Sequence, residues 1–380
     1  MALIFVLTGL ALCSVGLNLW QWIAACRFPI HKRERIDPNK QLGITLLKPL
    51  KGCDSETLGS IESWFRQDYS APVQILFGVA WEDDPVCDVV RSLIAKYPDV
   101  SAELVICSKD LGANGKVSTL IQLELLASHP FVIVSDADVS IPTDFFAQMI
   151  CKFSEPEVGL VNCFYRLENT RNAAMQWEAI AINADFWSQV LQGNSIWPMD
   201  FALGAAMAIR RDTLHVIGGF ASLAHFLADD YQLGNKIAKT GATISLTPIV
   251  ASCRGETMGF REVWDHQLRW ARTIRVCQPL PWFCSILSNA TFWPLLAAVV
   301  LRSSSSIGLL AAALFLRIAT ALHNEFRLAQ HKRHLAYFWL VPIKDLLQFA
   351  LWAASFLGST VVWRGMAYRV LGGGKLVIAK

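Results

Sequence analysis

Residues 2–25 (ALIFVLTGLALCSVGLNLWQWIAA) contain no Asp, Glu, Lys or Arg. About 20 apolar residues in helical form cross the hydrocarbon core of a bilayer, so this run is expected to be a transmembrane helix. Trp20 and Trp22 near its end suit an interfacial position. A cleaved signal peptide fits less well, because the charged leading region is missing and the apolar run is too long. Immediately afterwards Arg27, Lys32, Arg33, Arg35 and Lys40 outnumber Glu34 and Asp37. Basic flanks stay on the cytoplasmic side. That places the amino terminus outside and the next domain in the cytoplasm.

The last third is apolar again. Residues 283–301 and 307–322 read as two spans separated by Arg302 and four serines. A basic loop over 323–334 follows, with Arg327, Lys332 and Arg333. Residues 337–363 are apolar but interrupted by Pro342, Lys344 and Asp345. Charges inside a span are costly, so these three are expected to mark a break between two shorter helices. Four spans would leave the carboxyl end outside, yet Arg364, Arg369, Lys375 and Lys380 favour the inside. A re-entrant or interfacial piece would resolve that conflict. The expected division is a transmembrane helix at 2–25, a cytoplasmic domain at 42–282, membrane-associated helices at 283–363 and a basic tail at 364–380.

Composition agrees with a soluble domain joined to lipid-embedded segments. Hydrophobic residues make up 53% and charged residues 17%, against about 25% charged in ordinary soluble domains. With 21 Phe and 14 Trp the chain has ample burial to fold. The ten cysteines are scattered, with no CxxC and no metal-ligand spacing, which excludes a disulfide scaffold and suits a reducing compartment. The net charge of +3, with no basic stripe interleaved with aromatics, gives no sign of nucleic-acid binding.

The middle region alternates apolar runs and helical stretches. GITLLKP, VQILFGVA, ELVIC and FVIVSDAD are separated by helical sequence. Uncharged strands in β-α-β alternation predict an α/β fold with a parallel sheet covered on both faces. Ligands bind such sheets beyond the carboxyl ends of the strands. KPLKG, WEDDP, GANGK and SDAD stand at those ends. Neither GxGxxG nor GxxxxGK[ST] is present.

Three motifs carry chemistry. FVIVSDADV delivers Asp136 and Asp138 to a strand mouth, where two carboxylates can share a divalent cation; a solvated turn is the bland alternative. HFLADDYQLG sets Asp229 and Asp230 ahead of a helical run, where one could serve as a general base or both could simply favour the helix amino terminus. WDHQLRWARTIR places Arg269, Arg272 and Arg275 at i, i+3 and i+6. Arg269 could clamp a pyrophosphate with Trp270 packing on the substrate, or the helix could grip lipid phosphates from the interface.

Taken in order, LKPLKG, WEDDP, GANGKVSTL, SDADV, VGLVNCFYR, GAAMAIRRDTL, IGGF, LADDYQLG and HQLRWART resemble the ceramide glucosyltransferase family over nearly the whole chain. That family comprises membrane-bound inverting glycosyltransferases of the GT-A (Rossmann-like) fold and includes bacterial hopanoid-biosynthesis enzymes. The resemblance implies transfer of a sugar from a UDP-sugar, with UDP-glucose favoured, to a lipid hydroxyl, with Mn2+ or Mg2+ as cation. It implies Asp230 as base, Asp136 and Asp138 as metal ligands, and Arg269 with Trp270 as the RW pair. It places Pro49, Lys116, Asp136 and Asp229 around the nucleotide sugar. The position of the family's first aspartate holds Trp81, so Glu82 or Asp83 is expected to take over uracil binding. His266 stands where animal ceramide enzymes carry Arg or Gln. HxLRW and LADDYxLG look more like the bacterial branch, so the resemblance implies either ceramide or a hopanoid as acceptor, the latter with UDP-N-acetylglucosamine. A processive polysaccharide synthase would normally carry Gln at His266 and more spans. A non-catalytic membrane scaffold fits poorly with the full set of acids.

Overall fold

The computed structural model of the chain describes residues 1–38, 41–168, 170–330, 336–363 and 366–378. Its central sheet has eight strands: β1 (Ile44–Pro49), β2 (Val73–Val79), β3 (Ser101–Ile106), β4 (Phe131–Ser135), β5 (Val139–Ser140), β6 (Val158–Leu167), β7 (Ala206–Arg210) and β8 (Thr243–Cys253). Their order is β3-β2-β1-β4-β7-β6-β8-β5. Period-two alternation gives each face its own core. Ile44, Leu46 and Phe77 pack on one side; Leu47, Leu76, Val132 and Val134 pack on the other.

The expected parallel sheet holds for one half only. β1 runs parallel to both β2 and β4, and β2 to β3. β7 is antiparallel to β4 and β6, while β8 is parallel to β6 and antiparallel to β5. The reason lies in the chain path. After β6 the chain makes a helical excursion (Ala173–Ala179, a π-helical turn Ile180–Phe186, then Trp187–Asn194) beyond the carboxyl edge of the sheet. It re-enters from that edge, with Ala206 opposite Ser135, so β7 has to run back. The excursion and the ends of β1–β4, β6 and β8 thus share one edge.

Among the described residues two helices are long and apolar enough to cross a membrane, Ala2–Arg27 and Ser304–Ala329. A third crossing exists only if Pro279–Ser288 and Phe292–Leu301, bent by 54°, form one broken span. The expected span at 283–301 is therefore this bent pair. Leu7, Ala11 and Ala297 pack together with Leu301 and Leu309 near one end of the bundle. At the other end Arg327 donates to the carbonyls of Ala25 and Phe28. The expected basic loop begins inside the helix, which continues through Arg327 to Ala329; Lys332 and Arg333 lie outside the described residues. Polar groups on the first helix are turned inward, as with Thr320 Oγ1 donating to Asn18 Oδ1 at 3.0 Å.

Lys344 and Asp345 do not break the last apolar stretch. They sit in one helix, Leu340–Ser355, and both are buried. Asp345 accepts from Arg317 at 2.8 and 2.9 Å, and Asp185 from the π turn accepts from Arg317 at 2.8 Å and from Lys344. Two cations against two carboxylates neutralise a cluster that none could enter alone.

The expected basic tail is also different. Residues 360–378 form β9 (Thr360–Trp363), β10 (Met366–Val370) and β11 (Leu376–Ile378), an antiparallel sheet in the order β11-β10-β9. Leu227, Val361, Tyr368, Val370 and Leu376 make its core. Leu227 donates to Gly374 O and Leu376 to His225 O. Apolar Val361, Val370 and Leu376 gain burial against the soluble domain. The carboxyl-terminal sheet therefore packs on the α/β domain. Arg364 and Lys380 fall outside the described residues.

Candidate active site

The strand β4 ends at Ser135, so Asp136 and Asp138 emerge at the carboxyl edge. Asp136 N donates to Ala205 O at 3.1 Å, and Arg254 N donates to Asp138 O at 3.0 Å. Behind them lies Lys48 of β1, fully buried. Its ammonium donates to Asp136 O at 2.5 Å and Ser135 Oγ at 3.3 Å, and sits 4.8 Å from the Trp64 ring centroid. Burial pushes Lys48 down to about 7, against the pull of Asp138 and Asp136. Burial, with the neighbouring Asp136 charge, raises Asp138 above the usual carboxylate range, and Lys48 opposes the rise.

Lys116 opens the helix Gly115–Glu124. Asn114 caps that helix by accepting from Val117 N at 3.2 Å, while its amide donates to Phe226 O at 2.8 Å. One asparagine thus ties the GANGK loop to the LADDY loop. Lys116 Nζ then lies 2.7 Å from Asp136 Oδ1 and 3.0 Å from Asp229 Oδ2. These carboxylates raise the ammonium far above its usual range despite burial.

Asp229 and Asp230 occupy the first turn of the helix Asp229–Lys239, whose N-cap is Ala228. The macrodipole favours acids there, but neither acid is the cap residue. Asp230 Oδ1 accepts from Tyr231 N at 2.7 Å. Burial and the adjacent Asp229 charge raise Asp230 to about 6, with Lys116 opposing. The helix lies tight against the loop before β7. A Cβ on Gly234 would stand 2.3 Å from Ala202 N, and one on Gly204 would stand 2.7 Å from Asp230 Oδ2. Both glycines are required for the approach.

His266, Arg269 and Trp270 lie on the helix Phe260–Cys277, which buries Val263, Gln267 and Ala271. Gly259 N donates to Glu262 Oε2 at 2.7 Å, fixing its start. Arg269 is largely buried among Glu178, Asp136 and Asp230, whose charges oppose the lowering that burial causes. His266 Nδ1 lies 2.6 Å from Glu178 Oε1, and its ring centroid is 4.6 Å from that of Trp270. Arg272 and Arg275 have protein partners. They donate to Thr360 O and Gly358 O, holding the carboxyl-terminal sheet to this helix.

The structure brings Asp136, Asp138, Lys116, Asp229, Asp230 and Arg269 into one charged cleft, with His266 and Trp270 on the same helix as Arg269. Pro49 is buried at the end of β1. Glu82 and Asp83 are exposed in the turn after β2, where Glu82 reaches Arg91 at 3.7 Å. Their neighbour Asp84 has the organising role: it accepts from Gly52 N at 3.0 Å and from Val86 N at 3.0 Å, joining the turns after β1 and β2. Sequence reading also passed over Lys48 and Glu178. Lys48 carried a signal, a lysine in an otherwise apolar strand. Glu178 carried little, since one acid in a helical stretch looks like a solvated face.

The cleft holds four carboxylates against the cations Lys48, Lys116 and Arg269, and its strand-end pair offers hard oxygens. Among the described residues no three His, Cys, Asp or Glu side chains converge as a cage. Two carboxylates without a third ligand suit a cation that keeps waters and takes phosphate oxygens. Lys116, seated on Asp136 Oδ1, shows that positive charge is favoured at that point.

The sequence profile of glycosyl transferase family 21 matches residues 3–376. The chain belongs to this family. It is 24% identical over 249 residues to ceramide glucosyltransferase 3 of Caenorhabditis elegans, covering 65% of this chain and 53% of that protein. It is 24% identical over 234 residues to ceramide glucosyltransferase 1 of the same organism, covering 61% and 50%. A stretch of 108 residues is 33% identical to the ceramide glucosyltransferase of Candida albicans, covering 26% and 20%. The chain spans about half the length of the two nematode relatives. Among solved structures it is similar to the mannosyltransferase PcManGT from Pyrobaculum calidifontis in complex with GDP-Man and Mn2+. That likeness has a TM-score of 0.54 at 20% identity and covers 93% of this chain and 98% of the other. The family 21 chain thus has the GT-A fold, as the motifs implied.

Proposed function

We propose that this family 21 protein is a membrane-bound inverting glycosyltransferase that moves a sugar from a UDP-sugar, with UDP-glucose favoured, to a lipid hydroxyl. The observation that carries the reading is Lys116. Its ammonium joins Asp136 to Asp229, so the strand-end pair and Asp230 share one cleft beside a helix that leads into the membrane segments. The named activity of the ceramide glucosyltransferase relatives supports the lipid acceptor. The GDP-Man and Mn2+ of the mannosyltransferase support a nucleotide sugar and a divalent cation.

Asp136 and Asp138 would hold Mn2+ or Mg2+, which when bound neutralises charge on the donor's diphosphate. Lys116 and Arg269 add fixed positive charge where the leaving UDP gains its negative charge. Asp230 is ionised at neutral pH yet basic enough to take a proton, as its value of about 6 suits. It removes the acceptor hydroxyl's proton while that oxygen bonds to the anomeric carbon. The bond from that carbon to the diphosphate breaks, UDP leaves, and an α-linked donor becomes a β-glycoside. One displacement requires no covalent enzyme intermediate.

The topology follows the same reading. The first helix, the bent pair and Ser304–Ala329 make three crossings. The soluble domain and the carboxyl-terminal sheet then both face the cytoplasm, and the conflict between span count and basic residues disappears.

The test is product analysis. Membranes containing the protein receive UDP-glucose and UDP-N-acetylglucosamine with ceramide and a polyhydroxylated hopanoid, and lipids are read by mass spectrometry. Hexosylceramide is the expected product, and a glycosylated hopanoid would keep the mechanism and change the acceptor. UDP release without lipid product would overturn the acceptor; no UDP release would overturn the enzyme.

A further inference from the structure

Glu178 is 1% exposed, on a helix whose Met175 and Trp177 pack into an apolar cluster with Val263 and Leu351. One carboxylate oxygen meets His266 Nδ1 at 2.6 Å. The other, Oε2, is buried without a hydrogen-bond partner among the described residues. An unsatisfied buried oxygen is destabilising, so this acid is a poor choice for stability alone. It also lies beside the reacting groups. Glu178, Asp136 and Asp230 all act on Arg269, and the same three acids act on Tyr165 of β6.

A carboxylate offers only lone pairs, so the ring nitrogen facing it carries the proton. His266 in its neutral form then presents Nε2 as a lone-pair acceptor. The ring is packed on Trp270, and about a quarter of the side chain, 26%, is open to solvent. The arrangement is a carboxylate holding an imidazole in one tautomer, one helical turn from Arg269.

We propose that Glu178 is a positioning residue, and that the dyad it forms with His266 anchors the lipid acceptor through a hydrogen bond from a head-group hydroxyl to His266 Nε2. The inference rests on the lipid-glycosylation reading. It makes the acceptor class a lipid with at least two hydroxyls, one attacking at Asp230 and a second held by His266.

E178Q keeps the shape and removes the obligate acceptor: with its amide nitrogen turned to the ring it donates to Nδ1 and leaves Nε2 carrying the proton. The purified full-length protein, labelled with 15N-histidine, reports the tautomer, with the His266 signal assigned by its loss in H266Q. Wild type is expected to show the Nδ1–H form and E178Q the Nε2–H form. In transfer assays with UDP-glucose and ceramide, E178Q is expected to raise the acceptor KM roughly ten- to hundredfold with the donor KM unchanged. In an H266Q background, where an amide can present either end, E178Q is expected to add less than about twofold. An Nε2–H tautomer in wild type overturns the dyad. An unchanged acceptor KM in a tautomer-flipped E178Q overturns the anchor, as does an equal loss with and without His266. If wild type glycosylates no hydroxylated lipid, the activity reading fails and the anchor with it, while the tautomer spectra still decide whether Glu178 holds the ring.

Discussion

Replacing Asp230 by Asn should stabilise the protein while abolishing transfer. The carboxyl rises from 3.8 to about 6 on folding, because burial and Asp229 outweigh Lys116. Between pH 4 and 6 the folded state therefore binds more protons here than the unfolded state. Stability contributed by this group is present at low pH and is lost as pH rises through 6. At about 1.4 kcal/mol per pKa unit the ceiling is about 3 kcal/mol. The side chain keeps partial solvent contact, so about 1–2 kcal/mol is the expected gain for D230N at pH 7.5. That corresponds to a rise of roughly 2–8 °C in Tm. Thermal unfolding in detergent at pH 4.5, 6 and 7.5 measures it. The gap between variant and wild type should be small at pH 4.5, open towards pH 6 and stay flat above. Transfer should fall by about a thousandfold or more with UDP-sugar binding retained. A gap independent of pH, or a less stable variant at pH 7.5, refutes the electrostatic argument. Near wild-type transfer refutes the base.

Four further outcomes are expected. G204A places a Cβ 2.7 Å from Asp230 Oδ2 and should lower kcat about a hundredfold by displacing the base, read from steady-state kinetics with donor KM little changed. D185N leaves Arg317 and Lys344 with Asp345 as their remaining carboxylate and should cost about 3 kcal/mol or more, seen as a lowered melting temperature in detergent. A chain ending at Leu357 removes the carbonyls that hold Arg272 and Arg275; its transfer rate should fall more than about tenfold while membrane insertion, checked by fractionation, persists. Chelation should remove transfer and added Mn2+ or Mg2+ should restore it, whereas D136N and D138N should raise the metal concentration needed for half-maximal rate.

The sequence made the site's near half legible because local patterns place it. β4 is an apolar run that ends at its acids, so Asp136 and Asp138 had to appear at the sheet's carboxyl edge. The same logic placed Lys116 after β3, whereas the Asp229–Asp230 turn was legible only as the start of a helix. Glu82 and Asp83 lie exposed in the turn after β2, and a cluster of acids names a turn without saying which acid organises it; Asp84 does, through Gly52 N and Val86 N. The reversal of β7 was not legible, since it follows from which edge the excursion leaves and re-enters. The carboxyl-terminal sheet was hidden by its few charges, which read as a tail although Val361, Val370 and Leu376 supply a small core. Lys344 and Asp345 looked like a helix break because their partners, Arg317 and Asp185, are 28 and 159 residues away in the chain.

On the proposed reading, the excursion between β6 and β7 is what fixes the soluble chemistry to the membrane surface. Its first helix turns Glu178 towards His266. Its π turn, a register shift of the kind found at functional sites, carries Asp185 to Arg317 and Lys344 of the membrane helices. A contact to the helix Phe260–Cys277 and a contact to the bundle therefore lie seven positions apart in the chain. A buried ion pair gives little net stability, but it is intolerant of displacement, because moving Asp185 away strands two cations in an apolar setting. The helix that presents Glu178 is thereby pinned in depth relative to the bundle. On the proposed lipid-glycosylation reading, a hydroxyl emerging from the lipid would meet His266, Arg269 and Asp230 at a fixed height, as an acceptor that cannot leave the membrane requires.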